Sequence, residues 1–321
     1  MTDTKELKLT FLSGGTGTPK LLLGFREFID EKNLTIITNT GDDDLFYGLL
    51  IQPDVDTVLY LFADELDLEK FWGVKNETYT TLNNLAKLNE ETWFRLGDKD
   101  LALHLLRNKM LHEGKSCYEI ISKISNRLGI KAKILPMSNE KVRTIMFSKN
   151  KERLSFQEYT VKYRETHEIN RVVYQGSEKA QIYPELVESL HSSKAIIIGP
   201  SNPITSIGPM LAIKELRAEL IKSKTKVIAI SPLEQNKAFS GPAAKLLVQL
   251  GHEASSYGIA KIYQDFLDVM IISDSDSGNV GKITKLGIKV IQTNISMKNQ
   301  IERKRLAEVV LKEVNCLPEK N

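Results

Sequence analysis

The sequence predicts an α/β fold: a Rossmann-like, doubly wound and mostly parallel six-stranded sheet with a smaller α+β subdomain. Three observations carry that prediction. Short β-branched runs recur along the chain, they are apolar on both alternating faces, and amphipathic segments separate most of them. A strand with two apolar faces must be covered on both sides, which is the condition of a parallel sheet between helical layers.

In chain order the six runs are Leu7 to Leu12, Leu34 to Thr38, Ala195 to Ile198, Val227 to Ile230, Val269 to Ile272 and Ile288 to Thr293. The amphipathic segments include Pro209 to Lys222, Gly241 to Leu250, Tyr257 to Leu267 and Asn299 to Val314. Thr78 to Leu128 reads as three consecutive helices, with Asp98 placed to cap the one through Leu101, Leu105 and Met110. Ile130 to Gln181 is rich in β-branched and charged residues and reads as short strands forming an appended layer. The resulting division gives residues 1–129 and 190–321 to the sheet domain and 130–189 to an inserted subdomain.

Composition narrows the function. The 321 residues are 41% apolar and 26% charged, which argues against disorder, collagen and coiled coil. Lys and Arg number 44 against 41 Asp and Glu, a net charge of +3, with no long basic run. A nucleic-acid partner is therefore not expected. No apolar stretch approaches the ~20 residues of a bilayer span, and the start Met1-Thr2-Asp3-Thr4-Lys5 shows no signal-peptide pattern, so no membrane association and a cytoplasmic location are expected. Cys117 and Cys316 lack a C-x-x-C pairing and read as packing residues. His104, His112, His167, His191 and His252 show no metal-ligand spacing and read as structural or exposed.

The turns after the strands carry the chemistry, because an open parallel sheet binds ligands beyond the carboxyl ends of its strands. After the first run comes Ser13-Gly14-Gly15-Thr16-Gly17-Thr18-Pro19-Lys20. Its glycines allow a tight turn into a helix, for which Pro19 suits the first position, so that free N–H groups face a phosphate; a plain tight turn is the alternative. The loop is neither a Walker A loop nor a full G-x-G-x-x-G. After the second run, Asp42, Asp43 and Asp44 stand in a row. Burying them demands compensation, and hard oxygen ligands suit Mg²⁺; the alternative is a solvated loop with Asp42 capping a helix. Pro53-Asp54-Val55-Asp56-Thr57 adds two acids before an apolar segment, one placed to cap it and the other to face the cleft. Trp93 to Asp100 mixes aromatics, cations and acids on a turn, either to grip a flat polar ligand or to cap a helix and pair ions. With no G-x-S-x-G and no H-E-x-x-H, the inventory fits phosphoryl-type transfer.

These segments also resemble a known family. The glycine loop, Pro53 to Val58, Trp72-Gly73, Leu96 to Asp100, Ile134 to Ser138, Gly199-Pro200-Ser201-Asn202-Pro203 through Pro209, and Tyr263 to Asp268 are together similar to 2-phospho-L-lactate transferase. The resemblance runs from about Leu9 to Asp274. It implies transfer of a phospholactyl or phosphoenolpyruvyl group from a guanosine diphosphate ester, lactyl-2-diphospho-5'-guanosine, to the ribityl hydroxyl of 7,8-didemethyl-8-hydroxy-5-deazariboflavin. GMP would be released in coenzyme F(420) biosynthesis, with Mg²⁺ required and a homodimer as the common assembly. Carried over residue by residue, it implies Asp56 and Arg95 as the deazaflavin contacts. It places the diphosphate and nucleoside on Gly14, Gly15, Thr16, Gly17 and Thr18 with Ser201, Asn202 and Ser206.

On this reading Asp42 and Asp43 hold Mg²⁺ and Asp56 orients the attacking hydroxyl. Around Ser231 to Asn236 the sequence departs from many relatives, which carry a glycine there. The alternative is a non-catalytic nucleotide-sugar-binding regulator of the related bacterial gluconeogenesis and morphology factor family. Relatives of that kind generally lack Pro200-Ser201-Asn202-Pro203 and Leu96 to Asp100, and both are present here. An NAD-dependent dehydrogenase is disfavoured by Lys20 in the glycine fingerprint.

Overall fold

The structure, a computed structural model, describes residues 4–316; Met1 to Asp3 of the N-terminal stretch read above, and residues 317–321, lie outside it. Seven strands make the central sheet: β1 (Leu9–Ser13), β2 (Leu34–Thr38), β3 (Lys133–Pro136), β4 (Ala195–Ile198), β5 (Lys226–Ile230), β6 (Val269–Ser273) and β7 (Lys289–Thr293). Their order is β3-β2-β1-β4-β5-β6-β7, and every neighbouring pair is parallel. The α/β, doubly wound prediction holds, with one strand more than the six expected. The extra strand is β3, which the sequence reading placed in the inserted segment. Its four residues end at Pro136 and are too few to show a period, yet Ile134 and Leu135 pair with Ile36 and Ile37.

Alternation splits the strands between two cores, one on each face of the sheet. Leu9, Phe11, Ile36, Ile197, Ile228 and Ile271 belong to one, while Leu12, Ile37, Ile198, Ala229 and Ile272 belong to the other. Among the buried polar residues of these strands, Thr10 donates to the Ser189 carbonyl and Thr38 to the Leu135 carbonyl, both at 2.9 Å. Among the described residues no helix is long and apolar enough to cross a membrane.

The Thr78 to Leu128 region forms three helices, Thr80–Lys87, Asp98–His112 and Cys117–Arg127. Asp98 does not cap its own helix. Its carboxylate accepts the Thr80 and Thr81 amides at 2.8 and 2.9 Å, capping the preceding helix. Glu77 answers by accepting the Lys99 and Asp100 amides at 2.9 and 3.0 Å, so each helix start is capped by a side chain from beside the other. The long Pro209 to Lys222 segment breaks at Ile213, whose extended backbone (φ −74°, ψ 106°) separates Gly208–Ala212 from Lys214–Lys222. A separate antiparallel sheet of Arg153–Ser155, Arg143–Ser148 and Ile169–Gln175 stands within the stretch expected to carry short strands.

The chain leaves β1 outward on both sides, to β2 and to β4, so the crevice between β1 and β4 is the topological switch point. The parallel registers pair Ser13 with Thr38 and Leu12 with Ile198, which brings the three trailing loops to one edge.

Candidate active site

The glycine loop after β1 and the Gly199–Ser206 loop after β4 interlock at that edge. A Cβ on Gly17 would stand 1.9 Å from the Pro200 carbonyl oxygen, so only glycine permits the approach. Ser201 Oγ donates to the Gly14 carbonyl at 2.6 Å and accepts from Thr18 Oγ1 at 2.8 Å. The helix begins at Gly17, which puts Pro19 in its third position, and no side chain caps its first turn. Its open N–H groups border a cleft of about 380 Å³, lined also by Lys20, Asp54, Asn202 and Ser206.

The loop after β2 is tied to the wall of this cleft through Asn39. Asn39 is fully buried and its Nδ2 donates to Asp42 Oδ2 at 3.2 Å, Asp54 Oδ2 at 2.9 Å and the Thr205 carbonyl at 3.2 Å. Asp54 Oδ1 accepts the Gly15 amide at 2.8 Å, tying the acids to the glycine loop. Asp43 Oδ2 accepts from Gln52 Nε2 at 2.7 Å, and the Arg143 guanidinium stands 3.9 Å away. Asp42 Oδ1 and Asp43 Oδ1 are buried with no hydrogen-bond partner.

Burial, reinforced by the charge of Asp54, holds Asp42 well above the usual carboxylate range. Burial pushes Asp43 up to about 7, against the pull of Arg143 and Gln52. Asp54 is pushed up to about 6 by burial, against its bonds from Asn39 and Gly15. The orphaned oxygens of Asp42 and Asp43 are donors that suit a hard divalent cation such as Mg²⁺. The three acids do not themselves close on one point: among the described residues the three acidic or imidazole groups that do are Asp56, Asp100 and His104. A second cavity of about 450 Å³, lined by Asp43, Gln52, Arg107, Cys117 and Arg143, opens beside the acids.

The family model described as 2-phospho-L-lactate transferase CofD matches residues 9–312, from the first residue of β1 into the C-terminal helix. The chain belongs to the CofD family. It is 40% identical over 303 residues to the 2-phospho-L-lactate transferase of Methanosarcina mazei, covering 94% of this chain and 99% of the relative. The transferases of Methanococcoides burtonii and Methanocaldococcus jannaschii are each 39% identical, again over 94% of this chain, with 98% and 97% of the relatives covered. Among solved structures, a member of the upf0052 family from Bacillus halodurans matches with a TM-score of 0.64 at 17% identity, covering 96% of this chain and 99% of that one. That likeness supports the fold alone.

Within this CofD-family chain the residues singled out from sequence fall into three groups. Gly14, Gly15, Thr16, Gly17, Ser201, Asn202 and Ser206 line the cleft, with Thr18 buried behind them. Asp42 and Asp43 lie in the buried acid cluster. Asp56 and Arg95 stand elsewhere. Asp56 is 4% exposed and paired bidentately with Arg107, which is fully buried; Arg107 Nη1 also meets His104 Nδ1 at 3.0 Å. Arg95 is exposed, its guanidinium 4.4 Å from the Tyr79 ring centroid, and it borders neither cavity. His104 is fully buried between Arg107 and Asp100, a structural place.

The sequence leaves open which of Asp54 and Asp56 faces the cleft, and the family resemblance chooses Asp56; Asn39 stands there only as the start of the loop after the second strand, and Gln52, Arg107 and Arg143 are not singled out. For Asp54 a signal existed. Residues two apart on a helix point about 200° apart, so Asp54 and Asp56 cannot face one cleft together. Neither acid caps the helix Pro53–Phe62, whose cap is Gln52.

Proposed function

We propose that this CofD-family transferase moves a phospholactyl or phosphoenolpyruvyl group from a guanosine diphosphate ester to the ribityl hydroxyl of 7,8-didemethyl-8-hydroxy-5-deazariboflavin, releasing GMP. The observation that carries the reading is the joint between the glycine loop and the acids, the Gly15 amide to Asp54 and Asn39 from Asp54 to Asp42. It sets open helix N–H groups beside carboxylates lacking counter-charge, the pairing that a diphosphate with a divalent cation needs.

In this scheme the open helix amides of Gly17 and Thr18 hold the diphosphate, Pro19 having no N–H and the Lys20 amide being bonded to the Thr16 carbonyl, and the Lys20 side chain adds charge at the wall. Asp42 and Asp43 would hold Mg²⁺, which when bound neutralises charge developing on the transferring phosphate. The ribityl hydroxyl gives up its proton to solvent as its oxygen attacks the phosphorus bearing the lactyl group, and the bond from that phosphorus to the GMP oxygen breaks, GMP leaving with the bond's electron pair. Two substrates must meet at the acids, and Asp54 borders the first cavity while Asp43 borders the second. Asp56 then serves the acceptor at one remove, by fixing Arg107 in the wall of the second cavity.

The test incubates the purified protein with the deazariboflavin, lactyl-2-diphospho-5'-guanosine and Mg²⁺, and follows phosphodiester product and GMP by mass spectrometry. A parallel reaction takes the enolpyruvyl donor. Formation of neither product, where the Methanosarcina mazei relative forms both in the same buffer, overturns the proposal.

A further inference from the structure

The segment between the helix Pro53–Phe62 and the helix Thr80–Lys87 carries a side chain that neither the acids nor the phosphate loop accounts for. Phe71 adopts φ +60° and Gly73 φ +72°. For a bulky aromatic residue the left-handed region is costly, and such outliers persist only where the surroundings impose them. Here they do. Phe71 is 3% exposed and packed between two cations, with Lys20 Nζ 5.0 Å and the Arg303 guanidinium 4.8 Å from its ring centroid. The turn is pinned by Asp67, whose carboxylate accepts the Glu69 and Lys70 amides and whose carbonyl accepts the Phe71 amide at 2.8 Å.

The consequence falls on the residue between the two inverted positions. Trp72 is 44% exposed and lines the glycine-loop cleft. The Lys70 ammonium stands 5.3 Å from its ring centroid. Phe239, 41% exposed, lines the same cleft. Two large aromatic surfaces left to water in one cleft are costly unless a ligand covers them. Rigid backbone around an exposed indole is the arrangement of a stacking platform, since aromatic side chains bind the faces of bases without selecting their edges.

We infer that Trp72 is a preformed stacking face for the planar heteroaromatic ring of a ligand held in the glycine-loop cleft, either the one whose phosphates lie on the loop or the one whose hydroxyl reacts with them. The inference rests on the proposed function for the cleft and names the residue that grips the ring. The ring is either the purine of the donor or the tricycle of the acceptor, and the experiment separates them.

The chain has two tryptophans, so Trp93→Phe leaves Trp72 as the only reporter, and all comparisons are made in that background. GDP, deazariboflavin and inorganic pyrophosphate are titrated with Mg²⁺ present, following indole fluorescence and, independently, calorimetric binding. The expected result is quenching of Trp72 by a ring-bearing ligand and, in Trp72→Ala, a dissociation constant for that ligand raised about ten-fold. Trp72→Phe, which keeps a ring face, should raise it less than about three-fold. Pyrophosphate should bind both variants as it binds the parent. Loss for GDP alone assigns the purine, and loss for deazariboflavin alone assigns the acceptor. Unchanged binding of both ring ligands to Trp72→Ala overturns the inference and leaves the cleft's nucleotide role standing. Failure of the parent to bind GDP or pyrophosphate overturns that role, and the inference with it.

Discussion

Asp56 and Arg107 form a bidentate ion pair with both side chains sealed from solvent, Asp56 on the helix Pro53–Phe62 and Arg107 on the helix Asp98–His112. The pair joins the acidic helix to the three-helix region. It also decides what a substitution of either partner tests.

Removing one partner leaves an uncompensated buried charge. Arg107→Ala should therefore cost about 3–5 kcal/mol of stability, read from urea unfolding midpoints. A loss below about 1 kcal/mol would mean that water reaches the pair. Asp56→Ala should behave alike, so its effect on deazaflavin binding has meaning only after stability is measured.

The pH dependence of the metal-free protein follows from the acids. Asp43 is held up to about 7 and Asp54 to about 6, both above the ordinary value of 3.8. The folded state keeps protons there that the unfolded chain gives up. The stability these groups contribute is fully present below about pH 4 and is lost as pH rises toward 7. Calorimetry should show Tm falling between about pH 5 and pH 8 without metal, and Mg²⁺ restoring most of it at the upper end, where its ligands are deprotonated. Asp43→Asn should flatten both responses; a full Mg²⁺ response in that variant would remove Asp43 from the metal site.

Gly17→Ala places a methyl group 1.9 Å from the Pro200 carbonyl oxygen. Because the obstacle is backbone, the two loops must part, at a cost of about 1–3 kcal/mol. GDP affinity should fall with stability, and unchanged affinity would separate the loop packing from the phosphate site.

Ser201→Ala removes the bonds to Gly14 and Thr18 inside the same joint. The expected loss is about 1–3 kcal/mol of stability. Its hydroxyl is already committed to the protein, so the change in nucleotide affinity should follow loop disorder and disappear at low temperature. A ten-fold affinity loss in a variant of parental stability would make Ser201 a direct contact.

The sheet was legible because its strands are continuous apolar runs, and the alternation of Phe11 and Leu12 between two cores is what such runs encode. The strand Lys133–Pro136 was not, since only Ile134 and Leu135 are apolar and aliphatic in it, between a lysine and a proline, and two residues carry no period. The same gap between local pattern and tertiary partner explains Asp98. A carboxylate at a helix start reads as that helix's own cap, and only the fold shows that its acceptors serve another helix. The glycine loop and Asp42 with Asp43 were readable because glycine and clustered acids are expensive anywhere else. Asn39 was invisible, because its three acceptors come from positions 42, 54 and 205 and no spacing in the chain relates them. Arg107, fully buried on a helix otherwise mixed in polarity, could be found only from its partner.

The exchange of end groups between Glu77 and Asp98 bears on how this part of the molecule opens. Neither helix start can fray while its cap stays in place, and each cap is carried on the chain leading into or beginning the other. Hydrogen exchange should therefore report one shared opening for the first amides of both helices, Thr80, Thr81, Lys99 and Asp100, rather than two independent ones. The intervening residues 78–97 would then let go or hold together as a single latch.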